Sequence, residues 1–375
     1  MGTVHAEAIH RLHGVTLVGI HGSTPEKSQA TARRLEISKG YEHWEDLIAD
    51  DEIDAVHITT PNRLHFSQTV NALRAGKHVL CEKPLAMTSQ ESSELVRLAR
   101  ESGKVCGVNY NIRFYPINIE ARSRIAAGEV GTIHSVFGSY QQDWLLYDTD
   151  YNWRILSEEQ GALRAIADIG THWIDLVQHV TGQSVTAVFA DLHTIHPVRQ
   201  RPKGEVQTFS GSLDDGKAET EPVEVSTEDM GSILLRFDGG ARGTLFVSQV
   251  TPGRKNCLRY EVAGSKSSIV FNSEEPNQLW KGHREKPNEI LLKDPGLNSA
   301  EAGRFIDYPG GHTEGFPDTF KMGFRAFYEA VKAAEVPSSP EYATFADGHR
   351  EIQICESVVA SAREQRWVEV PPISP

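Results

Sequence analysis

Short apolar runs alternate with amphipathic segments over residues 1–118. "VTLVGI" (15–20), "AVHIT" (55–59), "HVLCE" (78–82) and "KVCGVNY" (104–110) read as buried strands. Between them lie segments of helical period. Residues 3–13 place Val4, Ala8 and Leu12 on one face and stop at Gly14, Pro25 opens a helix to about Lys39, and residues 62–75 end at Gly76. Thr88-Ser-Gln-Glu91 forms a capping box whose helix runs to about Ser102. Strands joined by helical crossovers pair in parallel, so an α/β, doubly wound parallel sheet is expected here.

Beyond residue 118 the texture changes. "TIHSVFGSYQQDW", "SVTAVFADLHTI", "GSILLRF", "ARGTLFVSQV", "CLRYEVAGS" and "SSIVFN" are strand-like, with no helix between those that follow residue 182. Residues 119–375 are therefore expected to form an α+β domain on a large, mostly antiparallel open sheet, its C-terminal helix packing back near the first domain. Residues 199–226, rich in Gly, Asp, Glu and Thr, read as a long exposed excursion.

With 375 residues, 39% hydrophobic and 24% charged, the chain has the composition of two globular domains. A net charge of −13 argues against general affinity for nucleic acid or anionic membranes, which need a basic surface. No run approaches the ~18 apolar residues of a membrane span, and no basic-then-apolar leader is present, so a cytoplasmic protein is expected. Cys81, Cys106, Cys257 and Cys355 are too scattered for a disulfide framework and read as reduced thiols. His193 and His196 would point to opposite faces of a strand, so no metal site is read.

The opening "MGTVHAEAIH" looks like the end of a nucleotide-binding turn. In a dinucleotide-binding, Rossmann-type domain a strand delivers the chain to G-x-G-x-x-G, and Gly2 matches only the last of those glycines. The first strand of the sheet is expected to be missing. The chain as it stands is then expected to bind dinucleotide more weakly than one extended upstream.

"TTPNRLHFSQTVNALRAGKHVLCEKPLAMT" (59–88) followed by "ADIGTHWIDLVQHVTG" (167–182) resembles the Gfo/Idh/MocA family of glucose-fructose oxidoreductase, inositol dehydrogenase and levoglucosan dehydrogenase-like enzymes, along essentially the whole chain. The resemblance implies NAD(P)-dependent oxidation of a sugar, cyclic polyol or glycoside at a hydroxyl carbon. It implies His172 as the base, Asp168 one turn earlier to orient it or bind a neighbouring hydroxyl, and Lys83 to hold the reacting oxygen. It further implies Thr60, Pro61, Asn62, His65, Glu82, Lys83, Trp153 and Arg154 on the nicotinamide side, and Gly2 at the pyrophosphate. Tyr140, Gln142 and His312 are candidate substrate contacts beside Lys83, Asp168 and His172. A second pair at the same spacing, Asp175 and His179, is read as a solvated surface contact. By resemblance, the second-domain sheet is the surface of a homodimer or homotetramer.

Coenzyme choice rests on the residues after "VTLVGI". NAD-specific folds place a carboxylate there for the ribose 2′-hydroxyl, whereas this chain reads His21-Gly22-Ser23-Thr24-Pro25-Glu26-Lys27. Ser23, Thr24 and Lys27, with Arg33 and Arg34 beyond, suit a 2′-phosphate, so NADP is favoured over NAD. The alternative is a non-catalytic or impaired member that binds nucleotide or sugar as a regulator.

Overall fold

A computed structural model describes residues 1–203, 219–333 and 336–372. The chain divides into two compact units, Met1–Tyr115 with Glu314–Ile352, and Pro116–Thr313 with Gln353–Pro375.

In the first unit α1 (Gly2–His10) leads to β1 (Gly19–His21), α2 (Pro25–Arg34), β2 (Lys39–Tyr41) and α3 (Trp44–Ala49). There follow β3 (Ala55–Ile58), α4 (His65–Arg74), β4 (His78–Cys81), α5 (Ser89–Ser102) and β5 (Cys106–Val108). Every ladder is parallel, as crossover helices require, but the strands form two separate pieces, β1–β2 and β3–β4–β5. Among the described residues no ladder joins β1 to β3. Val56, Ile58, Val79 and Cys81 from the strands pack with Val70, Leu73 and Leu95 from the helices. Burying each large aliphatic contributes roughly 1.5–3 kcal/mol.

Local signals set both ends of α5. Thr88 Oγ1 accepts from the Glu91 amide at 3.2 Å, and Gly103 ends α5 at φ 61°, a conformation that strains any residue with a Cβ. Glu91 returns its carboxylate to the Met87 amide at 3.0 Å, one residue before the position a capping box uses. The helix expected from Pro25 to Lys39 stops at Arg34. Glu36 takes φ 55°, and Lys39–Tyr41 is drawn instead into the ladder with Gly19–His21.

The second unit contains α6 (Pro116–Ala126), β6 (Ile133–Gln141), α7 (Ser157–Gln160), α8 (Thr171–Thr181), β7 (Val185–His193), β8 (Val198–Pro202) and β9 (Thr220–Glu224). It continues through β10 (Met230–Phe237), β11 (Arg242–Ser248), β12 (Cys257–Gly264), β13 (Ser268–Asn272), β14 (Gln278–Gly282), β15 (Glu289–Leu292) and α9 (Ala300–Gly303). The chain returns to the first unit for α10 (Phe316–Ala333) and the start of α11 (Phe345–Glu364), and β16 (Val368–Glu369) closes it in the second.

One sheet takes the order β15-β14-β13-β12-β6-β11-β10-β7-β16, antiparallel throughout except for the β6–β11 pair. Along β10, buried Ile233, Leu235 and Phe237 alternate with outward Ser232, Leu234 and Arg236, the period of a sheet covered on one face. The covered face meets α8, where Trp173 donates to the Arg259 carbonyl at 2.8 Å. A Cβ on Gly138 would stand 2.0 Å from that carbonyl oxygen and 2.8 Å from the indole nitrogen, so only glycine fits.

Two sequence expectations change here. Residues 204–218 of the expected excursion lie outside the described residues, while its ends pair as the antiparallel β8–β9 hairpin. Arg199, at one of those ends, is fully buried because its guanidinium meets Asp229 at 2.6 Å. Asp175 is buried rather than solvated, since α8 is enclosed on most sides, and His179 lies 3.4 Å from Arg122.

Candidate active site

In the first unit the site residues sit on the turns that follow β3 and β4, the ends of a parallel sheet where such folds bind ligands. Lys83 is the second residue after β4 and is half-buried between buried Glu82 and Pro84. Thr60, Pro61 and Asn62 follow β3, and Thr60 Oγ1 donates to Gln68 at 2.7 Å. His65 ties the two turns together, with Nδ1 2.7 Å from the Pro84 carbonyl and Nε2 2.9 Å from the Thr60 carbonyl. Burial holds this imidazole below its ordinary pKa despite both carbonyls, so it is neutral and donates to one of them at a time.

Beneath Lys83 lies a buried polar chain. Glu82 Oε1 is 2.8 Å from His5 Nε2 and accepts from Asn109 Nδ2 at 2.7 Å, and Glu82 Oε2 accepts from the Lys83 amide at 3.2 Å. Burial alone would raise the Glu82 carboxyl, but His5 and Asn109 outweigh it and hold it down at about 2. Gly2 opens α1, which has no side-chain cap, and a Cβ there would stand 3.3 Å from Thr59 Oγ1. Thr24 caps α2 by accepting from the Lys27 amide at 3.2 Å, beside exposed Ser23 and Lys27.

In the second unit a short π-helical segment, Ile166–Gly170, runs straight into α8 and carries Asp168, with His172 on the first turn of α8. Such π segments recur at functional sites. Asp168 Oδ2 accepts from Gln249 Nε2 at 2.8 Å, and Oδ1 lies 3.4 Å from Arg154 Nε. Arg154 in turn stacks over Trp153, 4.5 Å from its centroid. The Tyr140 ring lies 6.4 Å from His172, and the Tyr140 hydroxyl and Gln142 amide both donate to Asn256 Oδ1, at 2.7 and 2.8 Å. His312 is exposed in the turn before α10, its amide 3.2 Å from the Pro309 carbonyl.

The start of this segment is fastened by two buried acids. The Glu228 carboxylate accepts from the Arg164 amide at 3.0 Å and the Ile166 amide at 2.8 Å. Asp229 bridges the buried guanidinium groups of Arg164 and Arg199 and also accepts from the Ile195 and His196 amides.

Sequence reasoning passed over His5, Asn109, Glu228, Gln249 and Asn256. The only local signal was a polar residue on an apolar element, as with His5 between Val4 and Ala8. Among the described residues no cluster of three His, Cys, Asp or Glu side chains can hold a metal, and no helix is long and apolar enough to cross a membrane.

Residues 1–110 match the family model described as an oxidoreductase family with an NAD-binding Rossmann fold, and residues 119–270 match the GFO/IDH/MocA C-terminal domain. Levoglucosan dehydrogenase of Pseudarthrobacter phenanthrenivorans is 32% identical over 360 residues, covering 94% of this chain and 89% of that protein. scyllo-Inositol 2-dehydrogenase (NAD(+)) of Bacillus subtilis is 27% identical over 278 residues, covering 73% and 71%. A solved levoglucosan dehydrogenase in complex with NADH and levoglucosan superposes with a TM-score of 0.87 at 29% identity, covering 100% of this chain and 98% of that one. With both domain models matched and a full-length relative at this identity, the chain belongs to the GFO/IDH/MocA family of NAD(P)-dependent oxidoreductases.

Proposed function

We propose that this chain transfers hydride between a ring hydroxyl carbon of a sugar, cyclic polyol or glycoside and a nicotinamide coenzyme, with NADP favoured over NAD. The observation that carries the reading is the group on and around α8. Asp168 is held from two sides by Gln249 and Arg154, four residues before His172, with Tyr140 and Gln142 gathered on Asn256 nearby. This is a wall of fixed donors and acceptors suited to a polyhydroxylated ring.

The residues present fit a dinucleotide. α1 opens on a glycine with no side-chain cap, which suits its amides to a pyrophosphate held by Gly2. Ser23, Thr24 and Lys27 would hold the adenosine ribose, and Thr60, Pro61, Asn62, His65, Glu82, Lys83, Trp153 and Arg154 the nicotinamide side. No carboxylate stands at Gly22, which supports NADP. The bound nicotinamide supplies the hydride acceptor.

The protein's own part is proton and charge management. His172 takes the hydroxyl proton, and Asp168 orients its imidazole or binds the adjacent hydroxyl. The Lys83 ammonium holds the reacting oxygen and stabilises negative charge as it develops. His312 is a further substrate contact. Residues 1–118 thus serve the coenzyme, and 119–375 the substrate and oligomerisation. Outward Phe137 and Leu234, linked through Thr244 in the ladder, support a homodimer or homotetramer through this sheet. A cytoplasmic setting is part of the same reading.

The test is a panel of inositols, anhydrosugars and pyranosides with NADP and with NAD, read as reduced-coenzyme absorbance. Turnover of at least one ring alcohol, with NADP used at least as well as NAD, is expected. Coenzyme binding without turnover of any ring alcohol would favour the non-catalytic alternative.

A further inference from the structure

We propose that His5 is a positioning residue for Lys83, acting through Glu82 together with Asn109. The inference rests on the assignment of Lys83 to the reacting oxygen.

The geometry sets four side chains in a row. Tyr328 O–H lies 3.0 Å from His57 Nε2, His57 Nδ1 lies 2.9 Å from His5 Nδ1, and His5 Nε2 lies 2.8 Å from Glu82 Oε1. Glu82 as a carboxylate can only accept, so His5 Nε2 carries the proton and donates to it. On the far side, His5 Nδ1 faces His57 Nδ1 and His57 Nε2 faces the Tyr328 hydroxyl, so the chain continues away from Glu82. The four groups form one hydrogen-bonded chain that ends on Glu82. Burial, ahead of the neighbouring His5, holds His57 well below its ordinary pKa.

Glu82 is therefore an anchored carboxylate. One oxygen is fixed by His5 and Asn109, and the other receives the backbone amide of Lys83 at 3.2 Å. His5 is 2% exposed and packs against Phe324, with ring centroids 4.7 Å apart, which locks its own orientation. The lysine stem starts from a backbone tied to this buried point, so loss of His5 lets Glu82 and that tie shift. A displacement of this kind at a catalytic group lowers rate rather than substrate affinity.

The test compares His5→Gln, whose amide N–H can replace the Nε2 donor, with His5→Leu, which fills the space among Phe320 and Phe324 but donates nothing. The first readout is 13C NMR of the reductively methylated protein, with the Lys83 resonance identified by its loss in Lys83→Arg. The second is kcat and KM for a ring alcohol turned over in the panel. His5→Leu should shift the Lys83 resonance and lower kcat about 10- to 100-fold with KM within about threefold. His5→Gln should keep the wild-type resonance and kcat within about threefold. A purely packing role predicts the reverse ranking, with leucine the better tolerated, and that result would overturn the inference. So would a wild-type Lys83 resonance and kcat in His5→Leu while Lys83→Met is inactive, an outcome that leaves the role of Lys83 standing. Full turnover by Lys83→Met would instead remove Lys83 from the reaction, and the positioning role with it.

Discussion

Glu228 is expected to make the stability of the fold fall as pH rises through neutrality. Its carboxyl is buried at 4% exposure and caps the segment that carries Asp168 and His172. Burial is the dominant influence and pushes the group up to about 7 from an ordinary value of 4.5, although the Ile166 and Arg164 amides favour the charged form. A folded-state value above the unfolded one means that the folded protein holds the proton more tightly. The associated stability is fully present below pH 4.5 and is lost as pH rises through about 7. Integrating between pH 5 and pH 8 gives a loss of about 2.5 kcal/mol relative to a side chain that does not titrate. Glu228→Gln keeps an acceptor oxygen and removes the titration. Urea unfolding of both proteins at pH 5, 6, 7 and 8 should show wild type losing about that much against the variant as pH rises. A difference that stays flat, or one that grows in favour of wild type, would show that the amides win and that Glu228 is an ordinary ionised cap.

Three further outcomes are expected. Asp229→Ala strands the Arg164 and Arg199 guanidinium groups, both fully buried, and should destabilise the protein by about 3–5 kcal/mol in urea. Gly22→Asp should move coenzyme preference toward NAD, measured by titration with both coenzymes; its Cβ meets the Ser28 amide nitrogen at 3.3 Å, which a small local shift relieves. Gln249→Leu removes the 2.8 Å donor to Asp168 and should lower kcat about 10-fold or more in the steady state, with coenzyme affinity unchanged.

The sequence was most legible where a signal is local. Thr88 marked the start of α5 because a cap acts within one turn, and the end expected near Ser102 is where Gly103 turns left-handed. The strands from β6 to β13 that read correctly are long and alternate, as β10 does. β2 went unread because Lys39–Tyr41 is too short to show a period, and its pairing with Gly19–His21 spans residues that propensity alone assigns to a helix. Arg199 and Asp175 were taken as solvated because charge is usually outside; what buries Arg199 is Asp229, 30 residues away. The same reason hid His5, whose partners at 57, 82 and 109 are brought together only by the fold. Lys83, Asp168 and His172 were singled out through motif resemblance, whereas the groups around Lys83 and Asp168, Glu82 with His5 and Gln249 with Arg154, are joined by long-range contacts.

The most direct test of the account is the turnover of His172→Ala on a ring alcohol that the wild-type protein oxidises, with coenzyme affinity measured alongside. The account predicts a fall in kcat of about 10²- to 10⁴-fold, the range for loss of a general base, with coenzyme binding unchanged. Turnover equal to wild type would contradict it, because no proton acceptor at position 172 would then be needed.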